Sequence, residues 1–98
     1  MYIHKHVTWD PPKAIRNREK HGVSFEEAAT VFLDANALDW DDEGHSRMEE
    51  RRKRAGKSAQ QRIVLVVYTA RRTSDGQETI RIISARQASR KEREAYSR

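Results

Sequence analysis

The sequence predicts an α+β domain built on a mostly antiparallel sheet. Three observations carry this. Arg62 to Thr69 (R-I-V-L-V-V-Y-T) is a near-continuous apolar, β-branched run with a hairpin signal, Asp75-Gly76, and a second apolar segment, Thr79 to Ser84, behind it. Phe25, Ala28, Ala29, Phe32 and Leu33 repeat at helical spacing after a capping serine, Ser24. Ile3 to Trp9 alternates, with Ile3, Val7 and Trp9 on one face and His4, His6 and Thr8 on the other.

The alternating segment is the first strand. Asp10-Pro11-Pro12-Lys13 then opens a helix, since aspartate can cap free N–H groups and proline is tolerated in a first turn. That helix is expected to run to about His21 and end at Gly22, which suits a left-handed C-cap. Ser24-Phe25-Glu26-Glu27 reads as a capping box and starts the second, amphipathic helix. Ala37 to Trp40 is a short strand, and Asp41 to Ser46 a polar loop.

Residues 47–58 point two ways. Glu49 to Ala55 has good helix propensity but no apolar stripe to anchor a helix, and Gly56 and Ser58 suggest a turn into the next strand. Arg62 to Thr69 should be a central strand buried on both faces, with Thr79 to Ser84 returning beside it. Ser89-Arg90-Lys91-Glu92 is a second capping box and opens a basic terminal helix. The expected order is β-α-α-β-(β)-β-β-α, within a single domain spanning residues 1–98.

Composition narrows the function classes. No cysteine is present, so disulfides and thiol catalysis are excluded. The longest purely apolar run, Ile63 to Val67, cannot span a membrane, and no signal peptide is evident, so a cytoplasmic protein is expected. Charge is unevenly distributed. Residues 1–46 hold five Lys/Arg against nine Asp/Glu, a net of −4, and residues 47–98 hold fifteen against six, a net of +9. A basic half of this density favours a polyanion, with nucleic acid first and an acidic protein second.

The basic residues are therefore the main candidates. Arg81 sits between Ile80 and Ile82 and should project from the opposite face, Arg86 follows the strand end, and Arg62 heads the central strand. Guanidinium groups so placed can bind phosphate in bidentate fashion. Lys13 lies at the positive end of a helix dipole, an unfavourable place for a cation and one where a neutral lysine can act as a base. His21, beside Lys20, is a proton-transfer candidate or a helix C-terminal residue favoured by the dipole. His4 and His6 could be two metal ligands, but nothing indicates a third, and no cofactor is expected. Trp9, Trp40 and Tyr68 could stack on bases or belong to the core, while Tyr96 on the polar terminal helix is a candidate base contact or acid. Lys20, Arg71, Arg90, Lys91 and Tyr96 make up the expected nucleic-acid contacts. No phosphate-binding glycine loop, HExxH, GxSxG or magnesium-spaced acidic cluster is present.

Taken in order, W-D-P-P-K-A at 9–14, K-H-G-V-S-F-E-E-A at 20–28, V-F-L-D at 31–34, H-S at 45–46, E-E-R at 49–51, G-K-S at 56–58, V-V-Y-T at 66–69, R-I-I-S-A-R at 81–86 and R-K-E-R-E-A-Y at 90–96 resemble the BrnT toxin family over nearly the full length. The resemblance implies a RelE-like fold, with two N-terminal helices packed on the sheet and a C-terminal helix. It implies a metal-independent endoribonuclease and an antitoxin partner, BrnA-like and in a 2:2 complex, which reaches operator DNA through its own domain. It carries Lys13, Arg62, Arg81 and Arg86 over as functional positions. The stretch Arg51-Arg52-Lys53-Arg54-Ala55 departs from it, being more basic than that family's strand.

The mechanism so implied is attack by the RNA's own 2′-hydroxyl, with Lys13 or His21 as base, Arg62, Arg81 and Arg86 steadying the phosphate, and His21 or Tyr96 as acid. The alternatives are a non-catalytic RNA- or DNA-binding module using the same basic face, and a protein-interaction module that meets an acidic partner.

Overall fold

In the computed structural model, which describes residues 6–42, 50–72 and 74–98, the elements follow the expected order. They are β1 (His6–Trp9), α1 (Pro11–His21), α2 (Phe25–Thr30) with a 3-10 turn at Val31–Leu33, β2 (Leu38–Asp41), β3 (Arg51–Lys57), β4 (Ile63–Arg72), β5 (Glu78–Gln87) and α3 (Arg90–Tyr96). The five strands form one sheet in the order β1-β5-β4-β3-β2. The run from β2 to β5 is an antiparallel meander. β1 joins β5 in parallel, as it can because the whole of α1 to β4 lies between them in the chain. The fold is thus α+β with a mixed sheet.

Helices α1 and α2 cover one face. Val23, Phe25, Ala28, Val31 and Phe32 bury against Val64, Val66, Tyr68, Ile80, Ile82 and Ala85. Two edge-on aromatic pairs lie in this layer, Phe32 with Tyr68 at 4.8 Å between ring centres and Trp9 with Phe25 at 6.0 Å. Asn17 ties α1 to the sheet. β1 ends opposite Ile82, so the backbone of Ala85 beyond it has no neighbouring strand on that side. The Asn17 amide donates to the Ala85 and Val23 carbonyls at 2.8 and 3.0 Å, and its oxygen accepts from the Ala85 N–H at 3.1 Å.

Local structure departs from the sequence reading in four places. Residues 51–57 are a strand, and Gly56 lies inside it, not in a turn. A Cβ on Gly56 would stand 2.8 Å from the Ala37 Cβ and 2.9 Å from Val31 Cγ1, so glycine is there for close packing. Helix α2 stops at Thr30, leaving Leu33 68% exposed. Asp10 makes no side-chain cap, whereas Gly22 does take the left-handed C-cap at φ 71°. Finally, Ser24 accepts from the Glu27 N–H, but the Glu27 carboxylate turns inward and does not complete the box. The Ser89 box is complete. Residues 3–5 of the first expected strand, 43–46 of the expected loop and 47–49 of the segment that points two ways lie outside the described residues. No helix is long and apolar enough to cross a membrane among the described residues.

Candidate functional site

The second face of the sheet carries the polar chemistry. Residues paired across strands point the same way, so the register defines rows. Thr8 pairs with Arg81, Arg81 with Thr69, and Thr69 with Arg51, giving a row across four strands. Beside it, His6 pairs with Thr79 and Thr79 with Arg71. A cleft of about 390 Å³ opens between the two rows, lined by Thr8, Thr69, Arg71, Thr79, Ile80 and Arg81. Arg71 and Arg81 are exposed there. Arg81 makes no ion pair among the described residues. Cations and hydroxyls so displayed suit an anionic ligand.

Arg86 joins this face through a β-bulge. The register shifts between Val67 and Tyr68, which pair with Ser84 and Ile82, so Ile83 is an extra residue in β5. Without it, strict alternation would send Arg86 to the same side as Ile80 and Ile82. With it, Ala85 takes the buried position and Arg86 pairs with Leu65 on the second face. There Arg86 meets α3, forming a bidentate pair with Glu92 at 2.9 and 3.0 Å. Burial of the Glu92 carboxyl opposes its ionisation, but the Arg86 guanidinium and the Ser89 amide outweigh this and lower its pKa. Glu92 also closes the cap of α3, so one carboxylate orients both the helix and the arginine.

Arg62 is occupied elsewhere. Its guanidinium holds Glu27 through two contacts of 2.6 and 2.7 Å and donates to the Gly22 carbonyl at 2.9 Å. The Glu27 side chain is 1% exposed and also accepts from Ser58 Oγ at 2.7 Å. The Arg62 hydrogen bond is the main reason the Glu27 carboxyl sits below its usual range, against the opposing effect of burial. This pair joins the start of β4 to α2 and the α1 cap.

The remaining candidates are dispersed. Lys13 is exposed in the first turn of α1, and His21 is half-buried at its last residue beside exposed Lys20. Eight residues separate Lys13 from His21, roughly 12 Å along the helix axis. Arg90 pairs with Glu94 at 3.2 Å in the open, and Lys91 is exposed. Tyr96 donates to Asp34 Oδ2 at 2.6 Å. That bond raises the Tyr96 pKa. Asp34 stays below its usual range because Tyr96 and the amides of Lys57 and Asn36 outweigh its burial. The structure therefore gathers Arg71, Arg81 and Arg86 on the second face and leaves Lys13, Lys20, His21 and Arg62 with the helical layer. Sequence reasoning missed Thr8, Thr69, Thr79 and Arg51. Thr8 and Thr79 share a strand phase with His6 and Arg81, whereas Thr69 and Arg51 join the row only through the pairing of β4 and β3 with β5 and one another. Of the two histidines weighed as metal ligands, His6 is exposed and His4 lies outside the described residues.

Residues 9–92 match the family model described as the ribonuclease toxin BrnT of type II toxin–antitoxin systems. The chain belongs to the BrnT family. The matched stretch includes Arg81, Arg86 and Glu92 and ends before Tyr96. Among solved structures, the chain is similar to the Brucella abortus ribonuclease toxin BrnT. Identity is 23%, the TM-score is 0.60, and the alignment covers 88% of this chain and 97% of that one. At that identity the likeness speaks for the fold. No curated protein sequence matches the chain. As a type II toxin, a BrnT protein implies an antitoxin partner.

Proposed function

We propose that this BrnT-family chain is a metal-independent endoribonuclease toxin that grips RNA on the second face of its sheet. The observation that carries this is the placement of Arg81, with the threonine row and Arg71, on one open face that the Ile83 bulge extends to Arg86. The RNA's 2′-hydroxyl attacks the adjacent phosphorus, the bond to the 5′-oxygen breaks, and a 2′,3′-cyclic phosphate remains. Arg81 and Arg86 stabilise charge on the phosphate oxygens, where fixed donors act most strongly. Lys13 is the proposed base and takes the 2′ proton. It stands in the first turn of α1, which follows β1 at the edge of the sheet, and from the helical layer it would reach the phosphate around that edge, where Thr8 of β1 shares the Arg81 row. Of the two expected acids, His21 lies roughly 12 Å from Lys13 along α1 and the Tyr96 hydroxyl is engaged by Asp34, so water is the proposed source of the proton for the leaving 5′-oxygen.

The same reading treats residues 1–98 as one RelE-like domain acting in the cytoplasm, with Lys20, Arg90, Lys91 and Tyr96 as outer RNA contacts. The cognate antitoxin, BrnA-like and in a 2:2 complex, would neutralise it by laying acidic residues over these cations and would itself contact operator DNA. The test is induction of the chain alone in growing bacteria beside Arg81→Ala, Arg86→Ala and Lys13→Ala, with RNA ends mapped. Growth arrest with cyclic-phosphate ends, lost in the variants, supports it. Ends bearing a 3′-hydroxyl, or cleavage abolished by EDTA, would sink it. A non-catalytic binder would bind RNA and leave it whole.

A further inference from the structure

Among the described residues, the Trp40 side chain makes no hydrogen bond and no ring contact. In β2, Asp39 and Asp41 turn to the helical face, where they hold Arg52 and Arg54, and Asp39 also accepts from the Tyr68 hydroxyl. Alternation then fixes Trp40 on the second face, where it is 37% exposed. The other tryptophan, Trp9, packs edge-on against Phe25. Trp40 pairs with Lys53, in the row next to Arg51, Thr69 and Arg81. Asp42, a carboxylate beside this patch, is buried and engages Lys53 at 4.0 Å. An indole thus stands at the β2 edge of the cationic face, three strands from Arg81, or about 14 Å at ~4.8 Å per strand.

We propose that Trp40 is a stacking platform for an unpaired base of an RNA strand whose phosphates lie on the arginines of this face. This rests on the RNA reading above and deepens it to single-stranded or looped RNA. An aromatic face beside guanidinium groups binds any base that is free of its neighbours. In a duplex both faces of each base are already covered, so a duplex can use the cations but not the indole.

The chain has two tryptophans, so Trp9→Phe leaves Trp40 as the only indole. This variant is titrated with a short 2′-O-methyl single-stranded RNA, which cannot be cut, while binding is followed by anisotropy of a dye on the RNA. Indole fluorescence should be quenched in step with binding, and the same RNA annealed to its complement should bind without quenching. In the otherwise natural chain, Trp40→Ala should weaken single-strand binding roughly tenfold and Trp40→Phe should restore most of it. The loss should appear in KM more than in kcat. RNA binding without quenching, or wild-type affinity in Trp40→Ala, overturns the proposal. So does a Trp40→Ala variant that loses antitoxin affinity alone, which would make the patch a protein contact. If wild-type protein shows no anisotropy change with any RNA, the RNA reading itself fails, an outcome distinct from binding that spares Trp40.

Discussion

Arg81 and Arg86 lie five residues apart in one strand and still face the same side of the sheet, because Ile83 is an extra residue between them. They differ in their surroundings. Arg81 is exposed in the cleft, and Arg86 is clamped by Glu92 at the foot of α3.

This difference separates two variants. Arg81→Ala should keep wild-type stability and lose RNA affinity, with the salt slope of single-strand binding shallower by about 0.7 for each lost phosphate contact. Arg86→Ala should lose affinity as well as about 1 kcal/mol of stability, since Glu92 is left partly buried without its partner. Thermal melts and anisotropy titrations at several salt concentrations check both. Equal stability in the two variants would contradict the clamp.

The Glu27–Arg62 pair predicts a pH dependence. The Glu27 pKa is lowered in the folded chain, so its contribution to stability is fully present above the ordinary carboxyl value of 4.5 and is lost as pH falls below it. Asp34 and Glu92, also lowered, act in the same direction. Glu27→Gln should therefore be less stable at neutral pH by about 3 kcal/mol and show a shallower decline into acid. Urea unfolding of both proteins across that range tests this. Parallel pH curves would show that Glu27 is not held as described. Arg62→Ala should cost a similar amount at neutral pH by stranding the buried carboxylate.

The sheet's third strand shows where sequence legibility ended. β4 could be read because its β-branched apolar run is a local signal, and α3 because Ser89 and Glu92 sit at capping distance. β3 could not, because Arg52 and Arg54 look like a solvated helix face until Asp39 and Asp41 are in register beside them. That pairing bridges residues thirteen and fifteen apart for Asp39 and is invisible in any local window. The Ile83 bulge was hidden for the same reason. It exists in the pairing with β4 and leaves no mark in R-I-I-S-A-R itself. Thus Arg81 could be placed on a face from its two isoleucine neighbours, but Arg86 could not. The helix dipole argument located Lys13 and His21 correctly at the two ends of α1, yet it could not say that the arginines would lie across the sheet.

Gly56 offers a packing test. Its missing Cβ makes room for Ala37 and Val31, whose nearest atoms would lie at 2.8 and 2.9 Å. Both belong to the segment linking the helical layer to β2, so relief would require moving backbone. Gly56→Ala should destabilise the protein by about 1–3 kcal/mol through overpacking. Chemical denaturation is the measurement. A neutral effect would mean that this segment yields freely.

Tyr96 tests how α3 is anchored. Its hydroxyl donates to Asp34, which also accepts from the Lys57 and Asn36 amides, so the bond fastens the last turn of α3 to the segment between the 3-10 turn and β2. Tyr96→Phe removes only that donor. Asp34 keeps its two amide donors, so the cost should be about 1 kcal/mol and not the larger penalty of an orphaned carboxylate. Amide exchange should quicken in α3 and leave β4 unchanged, because the helix can open without the sheet. Asp34→Asn should cost more, since the carboxylate holds three donors and its ionised form is the one they favour. If the two variants exchange and melt alike, the Tyr96 bond carries the whole effect and the amide contacts of Asp34 contribute nothing measurable. If Tyr96→Phe instead leaves exchange in α3 untouched, the helix is held by its other contacts, Arg86–Glu92 among them, and not by the Tyr96 bond.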